Sequence, residues 1–195
     1  QYDVSATIFA THSCLEVSSL VNDPRIEVGI HPNFNPLLDG ISKHGNAKDT
    51  LSKIKDLFPQ ATSVRSHSVA TSSVLCSYFA SEGITHDVNS FIPDYADIEL
   101  KPWENWLNIT MVPYFWEDDV ACLDPNVYDV GQLVTRRGIK VFDFHPIHVF
   151  LNTESLSRYE HTRDFHQNPK ELLKYRYEGY GTRSKLIDLL ELAKQ

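Results

Sequence analysis

The alternation of apolar and polar positions changes period along the chain, and each change marks an element. Residues 4–11 are rich in β-forming side chains and predict a buried strand, closed by His12 and Ser13. Residues 14–21 can form a short helix, and Asn22, Asp23 and Pro24 then signal a turn. The next apolar stretch, Ile26 to Ile30, is a short strand that stops at His31; the loop behind it holds Pro32, Asn33, Asn35 and Pro36. After a polar loop over residues 40–45, Asn46 is placed to cap a helix. Leu51, Ile54, Leu57 and Phe58 fall at helical spacing within it, and Pro59 stops it.

The pattern then repeats. Residues 61–67 predict a strand ending in Arg65, Ser66 and His67. Thr71 or Ser72 begins a helix whose apolar face is Val74, Leu75, Tyr78 and Phe79, with Gly83 suited to its C-terminal cap. A short strand is expected at residues 84–88, then an excursion over 89–106 carrying Tyr95, Trp103 and Trp106 in the form of a hairpin. One strand over 108–116 ends in Glu117, Asp118 and Asp119. A weak helix at 124–133, closed by Arg136, Arg137 and Gly138, leads to a strand at 139–144 that ends at His145. Residues 152–181 read as polar loop, and Thr182 caps a final amphipathic helix over 185–193.

Strands alternating with helical segments imply βα units and a mostly parallel sheet. Strands that each end in polar residues fit an α/β barrel, distorted and incomplete, better than an open doubly wound sheet. No glycine-rich dinucleotide fingerprint follows the first strand and no P-loop occurs, so a nucleotide site has no support. A chain of 195 residues is one domain on length alone. Its net charge of −8 argues against a nucleic-acid partner, which would call for a basic face. No apolar run approaches the roughly 20 residues of a membrane span, and no signal peptide is visible. Cys14, Cys76 and Cys122 show no CxxC pattern and read as reduced thiols of a cytoplasmic protein. Composition does not fix an oligomeric state.

Three strand ends present histidine: His31, His67 and His145. Neutral imidazole is the commonest metal ligand, and a barrel gathers the carboxyl ends of its strands on one side. Each histidine could equally be a hydrogen-bonded loop residue, and the repetition favours a site. Asn33 and Asn35 could orient His31, coordinate weakly through an amide oxygen, or form turns beside the prolines. His148, three residues after His145, is expected behind it rather than at the reacting atoms. Either Asp118 or Asp119 could be a site carboxylate while the other starts a helix, with Asp119 preferred for the site. Arg65 could hold a catalytic carboxylate ionised or form a structural ion pair. Trp116 and the other aromatics are core or a platform for a sugar ring.

Residues 4–12 and the Glu27-Val28-Gly29-Ile30-His31 strand resemble two motifs of the NodB-type polysaccharide deacetylases, metal-dependent carbohydrate esterases. Phe142-Asp143-Phe144-His145 resembles their strand ending in a pocket histidine, Arg65 stands near their motif arginine, and Trp116 to Asp119 resembles their Trp/Asp motif. The sequence around His31 and His67 is similar to a divergent WbmS-like branch associated with bacterial surface-polysaccharide synthesis. The resemblance implies an incomplete (β/α) barrel of mostly parallel strands and a divalent metal, Zn²⁺ being the expected one. It implies a sugar or polysaccharide substrate and removal of an acetyl group from an N-acetylated sugar.

On that reading His31, His67 and Asn35 hold the metal, and His145 is the acid. Arg65 or Asp119 orients a base, and Asn33, Trp116 and His148 meet the substrate. The family's usual second metal histidine is replaced by Asn35, and its first strand, with paired aspartates, is expected upstream of the first residues here. Two alternatives stay open: a carbohydrate-binding barrel that has lost its metal, and another barrel metallohydrolase.

Overall fold

β-Branched and aromatic residues form the first strand at Ala6–Ala10 (β1), which lies parallel to Ile26–Ile30 (β2) with five residues in register. The computed structural model describes residues 3–41, 45–123 and 130–193. It divides into two units, the first made of residues 5–92 and 101–113 and the second of the remaining described residues.

In the first unit a short helix at Leu15–Leu20 (α1) joins β1 to β2, as its sequence predicts. Pro36 then starts a single helical turn at Asn35–Leu38 (α2), where only a loop was expected. The next helix runs over Ala47–Leu57 (α3), and the Asn46 side chain accepts the Asp49 N–H at 2.9 Å at its start. A strand at Ser63–Val64 (β3) follows, then a helix at Ser73–Ser81 (α4), capped by Ser72 on the Leu75 N–H. Gly83 takes a left-handed φ of 74° just beyond it. Strands His86–Asp87 (β4), Trp103–Glu104 (β5) and Thr110–Met111 (β6) complete a six-stranded sheet of order β1-β2-β3-β4-β6-β5. Every pairing is parallel except β5 with β6. The sheet is open, as an incomplete barrel requires, with β1 and β5 as its edges among the described residues.

Ile30, Val64, Leu51, Phe58 and Phe79 are buried on the helical face of this sheet and form its core with Phe34 and Ile109. Gly29 is needed on the other face, because a Cβ there would stand 2.4 Å from Ser63 Oγ and 2.8 Å from the Phe9 ring. Two expectations are corrected here. The buried side chains of α4 are Cys76 and Phe79, while Val74 is 56% exposed. The hairpin joins Trp103–Glu104 to Thr110–Met111, later in the chain than the 89–106 excursion predicted.

The strand expected over 108–116 is in fact two. β6 stops at Met111, and the next strand, Trp116–Glu117 (β7), pairs with a different partner in the second unit. Pro113 between them has no N–H to give a ladder. Asp118–Ala121 (α5) and Val130–Val134 (α6) follow; residues 124–129 of the predicted helix lie outside the described residues. Phe142–Asp143 (β8) lies parallel to β7, and a helix at Pro146–Leu151 (α7) comes next.

The segment read as loop carries helical turns at Leu156–His161 (α8) and Pro169–Leu172 (α9), each too short to show a clear period. The last helix, Thr182–Leu192 (α10), begins three residues earlier than expected. Gly181 stands at its cap, where a Cβ would meet the Asn152 carbonyl oxygen at 2.1 Å. Thr182 is already helical, and its hydroxyl donates to the Thr153 carbonyl at 3.0 Å. No helix among the described residues is long and apolar enough to cross a membrane.

Candidate functional site

β2 and β3 run side by side with Ile30 opposite Val64, so the residues that follow them emerge together. The His67 N–H donates to the Pro32 carbonyl at 2.9 Å and ties the two strand ends. His31 Nε2 and His67 Nδ1 then stand 3.4 Å apart, their rings nearly perpendicular at 83°. Two imidazole nitrogens bound tetrahedrally to one zinc ion at about 2.05 Å would be about 3.3 Å apart. That separation is compatible with two ligands of one cation, and equally with a hydrogen bond from one imidazole to the other.

His67 is held by an unusual turn. Ser68 and Val69 both have positive φ, 54° and 46°, and Val69 is β-branched, which makes that conformation costly. The Val69 N–H donates to the Ser66 carbonyl at 3.0 Å, and the Asn35 amide nitrogen donates to Ser68 Oγ at 2.9 Å. Asn35 thus fastens the loop after β2 to the turn carrying His67. Its amide oxygen makes no hydrogen bond among the described residues. Asn33 forms the turn its position suggests, its side-chain oxygen accepting the Asn35 N–H at 3.0 Å.

A cleft of about 470 Å³ opens beside the imidazole pair. Thr11, His31, Pro32, Asn33 and His67 line it from the strand ends. Thr50, Lys53, Ile54 and Leu57 line it from one face of α3. Arg65 is buried at the end of β3. Behind it the Ser66 N–H donates to Asn89 Oδ1 at 2.7 Å, and both the backbone N–H and the amide of Asn89 donate to Asp87 Oδ1. Burial pushes the Asp87 carboxyl up, and the two bonds from Asn89 pull it partly back. Asp87 was not a candidate from sequence; the one available signal was a carboxylate at the end of a short strand, as at the other strand ends singled out.

The second unit builds a different constellation. β7 and β8 pair with Glu117 opposite Asp143, and the chain beyond them supplies Asp118 and His145. Asp118 is fully buried and takes both bonds that His145 offers: the backbone N–H to Oδ2 at 2.8 Å, and ring Nδ1 to Oδ1 at 2.7 Å. The tautomer is thereby fixed, with Nε2 left to act. Burial pulls the His145 pKa down, but the hydrogen bond and charge of Asp118, with Asp143 and Asp119, outweigh it and hold it at about 9.

Asp119, preferred from sequence, sits in the first turn of α5 and accepts the Val120 N–H at 2.6 Å. The residue joined to His145 is its neighbour, Asp118. Adjacent acids at a strand end look alike in sequence; only the pairing register separates the one facing β8.

Trp116 is 5% exposed, with Phe142 and Phe144 against its ring, so its faces are taken up by the core of this unit. His148 is also buried; its Nδ1 meets Thr153 Oγ1 at 3.1 Å and its ring meets Tyr159. Burial pushes the His148 pKa down. Glu117, Asp143 and His145 could each give one ligand atom to a cation, as could Asp118, Asp119 and His145. With Nδ1 committed to Asp118, the arrangement suits proton transfer at Nε2. The cysteines are unpaired, and burial pushes the Cys122 thiol up to about 11, out of nucleophilic range.

Residues 1–163 match a family model described as WbmS-like polysaccharide deacetylase. No curated protein matches the chain. A crystal structure from Bordetella bronchiseptica, of a protein described as a polysaccharide deacetylase involved in O-antigen biosynthesis, is 41% identical. That similarity covers 97% of this chain and 79% of the other, with a TM-score of 0.89.

Proposed function

This chain belongs to the WbmS-like polysaccharide deacetylase family, and from that membership we propose that it is a metal-dependent deacetylase. It removes an acetyl group from an N-acetylated sugar or polysaccharide precursor. The observation that carries the metal dependence is the 3.4 Å separation of His31 Nε2 and His67 Nδ1 beside a cleft. We assign these nitrogens as ligands of a divalent cation, Zn²⁺ being the choice that suits imidazole, with the Asn35 amide oxygen as a weaker third. When bound, the cation supplies Lewis acidity for the acetyl carbonyl and for the attacking water.

The remaining roles belong to the protein. His145, charged at neutral pH because Asp118 holds its pKa at about 9, carries the proton for the departing amine at Nε2. Asp118 orients that ring; Arg65 or Asp119 is assigned to orienting the general base. Asn33, on the cleft wall, is assigned to the substrate, and Trp116 and His148 act from behind through the groups they pack against. The Bordetella neighbour's description, O-antigen biosynthesis, supports a bacterial surface polysaccharide as the product; action in the cytoplasm is part of the same proposal.

Metal analysis and acetate release from N-acetylated oligosaccharides test the assignment. Stoichiometric zinc is expected in the wild type and its loss in His31→Ala and His67→Ala. Activity should fall by more than about 100-fold, since even outer partners of a metal site cost 10- to 100-fold. Full activity in metal-free protein would overturn the reading. A second reading, a sugar-binding protein without catalysis, draws on Asn35 standing where the family has a histidine. Sugar binding with neither metal nor acetate release would establish it.

A further inference from the structure

The cleft beside His31 and His67 has a one-sided charge. Of its lining residues only Lys53 carries a fixed charge, and no carboxylate lines it, on a chain whose net charge is −8. Lys53 has acids within helical reach, Asp49 four residues before it and Asp56 three after it. Nevertheless it makes no ion pair or hydrogen bond among the described residues. Lys55, on the same helix, has by contrast given its ammonium to the Ala61 carbonyl. Lys53 stands with Thr50, Ile54 and Leu57 on the α3 face that walls the cleft, and Leu57 is half exposed there. The lining thus offers a hydroxyl, an apolar wall, an ammonium and two imidazoles. The ammonium can donate to the hydroxyls of a neutral sugar, but its charge adds attraction only for an anion.

We infer that the sugar taken into this cleft carries an anionic group besides its acetamido group, either a ring carboxylate or an anomeric phosphate, and that Lys53 receives it. The inference rests on the deacetylase reading for the identity of the sugar, and on the cleft's charge for the anion.

Calorimetric titration of the full chain with three probes tests it: N-acetylglucosamine, its 1-phosphate, and the corresponding 2-acetamido uronic acid. The titrations are run with zinc and again in chelator, so that direct attraction of the anions to the metal is separated from that of Lys53. At low salt at least one anionic probe is expected to bind ten-fold or more tightly than the neutral sugar in both conditions. Which one does so identifies carboxylate or phosphate. Lys53→Gln should abolish the preference, whereas Lys48→Gln, an exposed lysine of α3 outside the cleft lining, should keep it. Equal binding of all three probes, no binding of either anion, or a preference that survives Lys53→Gln would each overturn the inference. Acetate release in the same samples keeps the two ideas distinct. Anionic preference without acetate loss removes the deacetylase reading alone. Acetate loss that is the same from neutral and anionic probes removes the role of Lys53 alone.

Discussion

At the scale of single residues, the most consequential bond is that from His145 Nδ1 to Asp118. Burial alone would lower the His145 pKa, so the value of about 9 depends on this carboxylate. The kcat/KM of the wild type should therefore fall as pH rises through about 9, where the proton donor is lost. In Asp118→Asn the hydrogen bond and charge of Asp118 are lost while burial remains, and the same limb should move to lower pH. A pH profile in which the two proteins share one alkaline limb would refute the assignment. Val69 supplies a second test. Its left-handed conformation costs about 1–2 kcal/mol, a penalty that asparagine largely avoids. Val69→Asn should raise the unfolding free energy by about 1 kcal/mol in urea titrations.

At the scale of elements, β2 reads from sequence almost completely: β-branched residues, a glycine, and a histidine where the strand stops. The caps of α3 and α4 were legible too, since Asn46 and Ser72 each precede an apolar period and each accept the expected N–H. What could not be read depends on partners remote in sequence. The division of residues 108–116 between two ladders is set by which strands lie alongside, and Pro113 alone did not announce it. The choice of Asp118 over Asp119 likewise follows from the register of β7 with β8. Gly29 shows the reverse case, a residue visible in the motif whose reason appears only in the sheet. Gly29→Ala would press a methyl group on Ser63 and Phe9, and denaturant unfolding should show a loss of about 1–3 kcal/mol.

For the whole molecule, the pH dependence of stability follows from the same histidine. A pKa raised from 6.5 to about 9 on folding adds stability that is fully present below pH 6.5 and is lost as pH climbs to about 9. Thermal unfolding midpoints should decline across that window in the wild type and lose this component in Asp118→Asn. The family-matched region ends at residue 163, but the fold does not. The Asn152 amide donates to the carbonyls of Tyr177 and Gly179, its oxygen accepts the Ser184 N–H, and the Thr153 carbonyl receives Thr182. Asn152 closes α7, the helix that begins one residue after His145. A chain cut at residue 163 would open these buried bonds directly behind the proton donor. Such a fragment should be recovered as aggregate, so the family boundary is a poor place to trim this protein for expression.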